Sequence, residues 1–193
     1  AYADSKAGWH DNYRRWSERS FREMGLHIAE RSEPGELVAF QDMGAAPIVA
    51  NDQIWIDTIG ILNRDVAREL AAIDLNPFMR SAKRSTPGGA QAIKEFDGRI
   101  RDYVLDQEPA WLAFVAYVPK SSRKAFKKSV KRAERSGDDD ELEAIFLKRI
   151  HGNTHAHGIT KDRRFEKDYR WERHWKRNDG YWLVLYRNRG HGG

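Results

Sequence analysis

Apolar residues return at three- and four-residue steps along the first thirty positions: Trp9, Tyr13, Trp16, Ser20, Met24 and Ile28. Arg14, Arg15, Glu18, Arg19, Arg22 and Glu23 fall on the other faces. This is the period of an amphipathic helix. Glu33-Pro34-Gly35 stops it, so residues 1–33 read as a leading helix. Glu36 to Gln41 is then a short apolar run bounded by turn residues, the pattern of a buried strand. Asp42-Met43-Gly44 is a turn, and Ala50 to Ile56 a second strand leading into Asp57-Thr58-Ile59-Gly60. Arg64 to Ile73 reads as a short helix with Asn63 at its N-cap.

Residues 80–92 contain Ser85-Thr86-Pro87-Gly88-Gly89 and three basic residues, and read as an exposed, mobile loop. Ile93, Phe96, Ile100, Tyr103 and Val104 mark the next helix, which ends before Pro109. Ala110 to Val118 is apolar throughout, as a strand covered on both faces would be. Ser121 to Arg135 is a basic helix, broken by Gly137, and Glu141 to Ile150 is another short helix. Residues 151–160 form a loop, so residues 120–160 read as an insertion carrying a basic helix and a histidine loop. Tyr169 to Lys176 alternates aromatic and charged residues like a half-buried strand. Asn178-Asp179-Gly180 is a hairpin turn, and Tyr181 to Arg187 is the returning strand. Tyr169, Trp171 and Trp175 fall on one face of the first strand of this hairpin. On the second, Tyr181, Leu183 and Leu185 lie opposite Trp182, Val184 and Tyr186. Most of these aromatics read as core, with Trp182 and Trp171 as the candidates for exposure. The pattern specifies one α/β domain over residues 1–193: a mixed, partly parallel sheet flanked by helices, closed by a C-terminal antiparallel β-hairpin.

Composition narrows the class. The 193 residues are 40% hydrophobic and 33% charged, too apolar for a disordered chain. No apolar run approaches the roughly 20 residues that span a bilayer. The absence of cysteine excludes disulfides, thiolate metal sites and thiol catalysis. The chain starts Ala1-Tyr2-Ala3-Asp4 with no initiator methionine, and reads as a piece of something longer. A net charge of +5 permits an anionic partner.

Four constellations are candidates for function. Asp42, Asp57 and Asp65 follow predicted strand ends, where open α/β sheets bind ligands. Carboxylates there accept hydrogen bonds from sugar hydroxyls, and Trp55 is placed to stack on a ring. The same aspartates also suit turns fixed by side-chain-to-backbone hydrogen bonds. His151, His155 and His157 have spacing compatible with a metal if further ligands arrive, or make a polar loop. Lys120, Arg123, Lys124, Lys127, Lys128, Lys131, Arg132 and Arg135 put eight cations in sixteen residues. Of these, Arg123, Lys124, Lys127, Lys128 and Lys131 are the candidate contacts to an anionic surface. The alternative is a solvated face offset by the acidic run from Asp138 to Glu143. The fourth is the aromatic hairpin, whose Trp and Tyr side chains can stack on sugars or bases if exposed. The chain has no P-loop, G-x-G-x-x-G, G-x-S-x-G or H-E-x-x-H motif. No catalytic residue is assigned and no cofactor is expected.

The run Gly35-Glu36-Leu37-Val38-Ala39-Phe40-Gln41-Asp42-Met43-Gly44 resembles the start of the water-exposed C-terminal domain of bacterial polytopic membrane glycosyltransferases, the arabinofuranosyltransferase-like and mannosyltransferase-like proteins. Those domains continue with Ile-Asp-x-x-Gly-Leu-x-Asp, to which Ile56-Asp57-Thr58-Ile59-Gly60-Ile61-Leu62-Asn63-Arg64-Asp65 is similar. The match departs at Ile61, and Asp65 falls one or two positions late. Tyr103, Pro109 and the strand Ala110 to Val118 follow the family order. Tyr181-Trp182-Leu183-Val184-Leu185-Tyr186-Arg187 is similar to its closing hairpin. The resemblance implies a domain at the periplasmic face of the inner membrane in the cell envelope, with the catalytic carboxylate in a membrane portion outside this chain. It implies an accessory role, in acceptor or glycan binding or in packing over the active site. The expected partners are that membrane portion or a membrane complex, with anionic lipid or glycan, and not nucleic acid. The alternative is a non-catalytic structural subunit of a membrane-associated assembly.

Overall fold

The computed structural model describes residues 18–42, 44–60, 62–72, 85–151, 156–177 and 180–191. In chain order the elements are α1 (Arg19–Ala29), β1 (Leu37–Phe40), α2 (Ala46–Val49), β2 (Ile54–Asp57), α3 (Arg64–Ala72), α4 (Gly89–Asp106), β3 (Trp111–Tyr117), α5 (Arg123–Ser136), α6 (Asp139–Ile150), α7 (Arg163–Asp168), β4 (Tyr169–Lys176) and β5 (Tyr181–Asn188). Short 3-10 turns cover Lys120–Ser122 and Ile159–Lys161. The leading-helix positions Trp9, Tyr13 and Trp16, most of the loop assigned to 80–92, and His155 lie outside the described residues.

The five strands form one sheet in the order β2-β1-β3-β5-β4. β1 pairs in parallel with both β2 and β3. β5 pairs antiparallel with both β3 and β4. This is the mixed sheet with a terminal hairpin that the apolar pattern specifies. Alternation along each strand divides the core in two. Leu112, Phe114, Trp182, Val184 and Tyr186 face a layer built from α3, α4, α5, α6 and α7. Val38, Phe40, Trp111, Ala113, Leu183 and Leu185 face α1 and α2. β3 is buried on both sides from Trp111 to Ala116, as its unbroken apolar run requires. The basic helix and its successor are built into the first layer: Phe126, Val130, Phe146 and Ile150 belong to that core.

Local chemistry accounts for the element ends. The Asn63 side chain accepts hydrogen bonds from the Asp65 and Val66 amides at 3.0 and 3.1 Å and so caps α3. Asp138 caps α6 by accepting from Glu141 N at 2.8 Å, and three acids fill its first turn.

Several details differ from the pattern. The second strand begins at Ile54 rather than Ala50, because Ala46–Val49 forms a helical turn over α1. Helix α4 starts at Gly89, inside the segment read as loop. Residues 163–168, unassigned from the pattern, form α7 because Asp162 caps them, accepting from Arg164 N at 2.9 Å. Finally, a β-bulge between Trp171 and Arg173 breaks the alternation of β4. Trp171 packs with the first core and Trp175 with the second, so the two do not share a face. Trp182 is not exposed: it is 7% accessible beneath Phe126 and Phe146. Trp171 is half-buried, stacked on Phe146.

Helices α1 and α2 touch through Gly25. A Cβ there would lie 2.5 Å from Val49 Cγ2 and 2.6 Å from the Ala46 carbonyl oxygen. Because one obstacle is backbone, the helices must separate to admit a methyl group. Gly25→Ala is expected to destabilise the fold by about 1–3 kcal/mol, read from urea denaturation; an unchanged midpoint would refute this packing.

An arginine-carboxylate network ties α4 to the turn before α7. Arg164 contacts Asp162, Asp102 and Asp106 at 3.0, 2.5 and 2.7 Å. Arg101 contacts Asp162 at 3.1 Å. The hydrogen bonds from Arg164 hold the Asp162 carboxyl at about 2, below its ordinary value of 3.8. A folded-state value below the unfolded one stabilises the protein above the unfolded value, and the contribution is lost as pH falls. Stability should therefore decline between pH 4 and pH 2, and Asp162→Asn should lose stability at pH 7 while flattening that decline. Thermal melts across this range measure both effects.

Candidate functional site

The C-terminal edge of the parallel strands gathers most of the polar groups that the sequence singles out. Phe40 pairs with Asp57 on one side and Ala113 on the other, so β1 and β2 end side by side. Gln41-Asp42 leaves β1 there, and Asp57-Thr58 closes β2. Gln41 is buried, with its side-chain oxygen 3.5 Å from the Val115 amide.

Asp42 is half-buried and accepts a hydrogen bond from Arg177 Nη1 at 2.8 Å. The Arg177 guanidinium lies 4.7 Å from the centre of the Phe21 ring and 5.7 Å from that of Tyr181. Burial raises the Asp42 carboxyl above its ordinary value; Arg177 pulls it back, and the nearby charge of Asp57 adds to the rise. Asp42 is thus a carboxylate at the edge with enhanced proton affinity and partial access to solvent.

Asp57 differs in kind. It is 4% accessible, and its two oxygens accept from the Ile59 and Leu62 amides at 2.9 and 2.8 Å. The loop after β2 is folded around this carboxylate, which is the turn-fixing reading of its spacing. Gly60 completes the loop at φ +89°, where a Cβ would lie 2.7 Å from Val66 Cγ1. Trp55 is half-buried, and its indole N–H donates to the Ala50 carbonyl at 3.0 Å. Asp65 is not with Asp42. It is exposed in the first turn of α3, 3.4 Å from Arg68, and lines a cleft of about 220 Å³ with Glu69, Arg99 and Tyr103. Glu69 and Arg99 are ion-paired across that cleft.

Of the histidine loop, His157 is decisive. It is 2% accessible and holds a left-handed backbone, φ +48°. Its Nδ1 is 2.9 Å from Asp97 Oδ1, and its Nε2 is 2.8 Å from the Thr58 carbonyl oxygen. A carbonyl only accepts, so Nε2 carries a proton and donates. Asp97 and His157 have the look of a catalytic dyad, but the far nitrogen is occupied by backbone and cannot serve as a base. With both ring nitrogens engaged, His157 also has no lone pair directed at a metal. His151 is exposed, with Nε2 3.3 Å from the Thr160 carbonyl oxygen. Among the described residues no three His, Asp or Glu side chains converge as a metal would need.

A second cleft, about 370 Å³, lies between α1 and β4 over His27. His27 is 8% accessible and engages Glu172 at 2.7 Å. That hydrogen bond holds Glu172 below its ordinary value against the opposing effect of burial.

On α5, Phe126, Val130 and Ala133 are buried, and the cations point outward. Arg132 pairs with Glu141, and Arg123 donates to the Val118 carbonyl at 3.2 Å. Lys120, Lys124, Lys127, Lys128, Lys131 and Arg135 make no ion pair among the described residues. At 100° per residue the five on α5 fall on a single stripe opposite the buried face, and Lys120 lies in the 3-10 turn just before it. The acidic run does not neutralise them, because it lies in the first turn of α6.

Pattern reading did not find Arg177, Asp97 or Tyr117, and it grouped Tyr181 with the core aromatics, whereas Tyr117 and Tyr181 are exposed with rings 4.9 Å apart. The Asp42–Arg177 contact spans 135 residues of sequence and His157–Asp97 spans 60, so no local signal marks either.

No family model, curated protein or solved structure matches the chain.

His157 is expected to act in the fold. His157→Asn tolerates the left-handed backbone but cannot span both partners, and should cost about 2 kcal/mol. Asp65→Ala should change stability by less than about 0.5 kcal/mol. Chemical denaturation of the two variants tests the contrast; equal effects would remove the bridging role of His157.

Proposed function

We propose that this chain is a water-exposed accessory domain of a membrane glycosyltransferase-like protein of the bacterial cell envelope, with no reaction of its own. It lies at the extracytoplasmic face of the inner membrane, binds a glycan acceptor, and packs over an active site carried elsewhere. One observation supports this reading above the rest. The segments that carry the family resemblance, separate in sequence, are neighbours in space: β2, β1, β3 and β5 are consecutive strands of the sheet. They present Asp42 and the Asp57 loop along one edge.

The chemistry of that edge fits binding better than catalysis. Asp42 is a hydrogen-bond acceptor paired with an arginine donor that lies near the Tyr181 ring, a combination that recognises a polyhydroxylated ligand. Asp57 and His157 are occupied by backbone. Asp57, the acid whose charge bears on Asp42, is held by the Ile59 and Leu62 amides and shapes the loop.

The reading is tested by titrating the chain with short arabinan and mannan oligosaccharides and following backbone amide NMR shifts. Binding is expected on the order of 1 mM, with shifts centred on residues 41–42, 57–60 and 177–181. Asp42→Asn should weaken binding while leaving the fold intact, and Asp57→Asn should act through stability. Absence of any sugar-dependent shift would defeat the acceptor-binding role. Sugar transfer by this chain alone from a polyprenyl-phosphate donor would defeat the accessory role.

A further inference from the structure

The end of the molecule that carries Asp42 also exposes large apolar and aromatic side chains and the start of the basic helix. Three of its large side chains are exposed: Leu62 at 75%, Tyr117 at 44% and Tyr181 at 40%. Leu62 ends the loop built on Asp57, whereas Tyr117 closes β3 and pairs with Tyr181 at the start of β5. The tyrosine pair, with rings 4.9 Å apart, is an exposed aromatic patch rather than a lone surface side chain. Helix α5 starts at the same end, since the Val118 amide donates to the Gly180 carbonyl at 2.7 Å and Arg123 contacts the Val118 carbonyl. Its unpaired lysine stripe therefore begins beside the tyrosine pair.

We infer that this edge, with the lysine stripe of α5, seats the domain on an anionic lipid bilayer. The inference rests on the membrane-attached reading above and deepens it by naming the surface that meets the lipid. Tyrosine belongs at the headgroup level, where its ring is apolar and its hydroxyl wet. Leu62 adds an exposed apolar side chain at the same end, and the lysines meet the lipid phosphates as point charges. Two features favour a bilayer over a nucleic acid. Five of the six unpaired cations are Lys, with no Arg fork for base or phosphate recognition except Arg135. The row lies on the outward side of a helix whose buried face is in the core, so it meets a plane more readily than it lines a groove. Phe126, Val130 and Ala133 of α5 are buried in the core, so attachment through the helix itself is electrostatic and sensitive to salt.

Sedimentation of the chain with vesicles tests this. Binding is expected to vesicles of mixed phosphatidylglycerol and phosphatidylcholine at low salt, and not to phosphatidylcholine alone. High salt should reduce it. Lys124→Gln/Lys127→Gln/Lys131→Gln changes exposed positions only and should weaken partitioning about tenfold or more. Tyr117→Ser/Tyr181→Ser should remove the part that resists salt. No binding to anionic vesicles at low salt, or equal binding by the lysine variant with an unchanged circular dichroism spectrum, overturns the inference. So does displacement from vesicles by DNA, which would assign the stripe to nucleic acid. The vesicles carry no glycan, so this outcome is independent of the oligosaccharide titration.

Discussion

Everything in this fold is arranged around the need to cover β3 on both faces. The strand is buried from Trp111 to Ala116, and Trp111 is fully enclosed with its indole N–H donated to Ser32 Oγ at 2.7 Å. A strand apolar on both sides holds its place only between two layers. α1 and α2 supply one layer, and α3 to α7 the other. On its lateral edges, β1 joins in parallel and β5 antiparallel. β3 is therefore the seam between a parallel half and an antiparallel half. With faces and flanks committed, polar groups that must stay accessible are left to the ends of the strands. That is why Asp42, Arg177, Tyr117 and Tyr181 share one edge.

Three of the long-range ties across this frame are histidine–carboxylate pairs. His27 on α1 meets Glu172 on β4 at 2.7 Å, His157 meets Asp97 on α4 at 2.9 Å, and His174 on β4 meets Glu134 on α5 at 3.1 Å. In each pair an imidazole set among aromatic rings faces a carboxylate. Phe96 lies edge-on to His157; Trp111 and Trp175 lie edge-on to His27; Phe146, Trp171 and Trp182 surround His174. Burial lowers the proton affinity of His174, and Glu134 works against that. These contacts join elements distant in sequence: His157 uses both ring nitrogens, and His27 and His174 each reach their carboxylate through Nε2. Histidines placed in this way are fasteners.

Much of the architecture is legible because it follows local periodicity. The strands Trp111–Tyr117 and Tyr169–Lys176 and the cap at Asn63 follow from side chains a few residues apart. What escapes is decided at a distance or by a single-residue irregularity. The turn Ala46–Val49 is helical because Gly25 lets it pack on α1, and Gly25 itself carries no sign of that role. The bulge beside Arg173 shifts Trp175 to the opposite face, and strict alternation cannot anticipate one extra residue. The site divides in the same way. That Asp57 fixes a turn is readable from its neighbours. That Asp42 faces Arg177, and that His157 is locked by Thr58 and Asp97, depends on the assembled sheet.

The distribution of charge follows from the same assembly. α5 and α6 pack as an antiparallel pair, with Arg149 at the end of α6 lying 5.7 Å from the ring of Phe126 near the start of α5. At the other end, Arg132 meets Glu141 in the first turn of α6. The acids gather where the α6 amides favour them, and Lys148 and Arg149 gather where its carbonyls do. The acidic run is thus held away from the start of α5. The consequence is a polarised molecule, with its unpaired cations beginning at the edge that bears Asp42 and the tyrosine pair. A sequence balanced at only +5 overall acquires a strongly basic end through the direction of two helices.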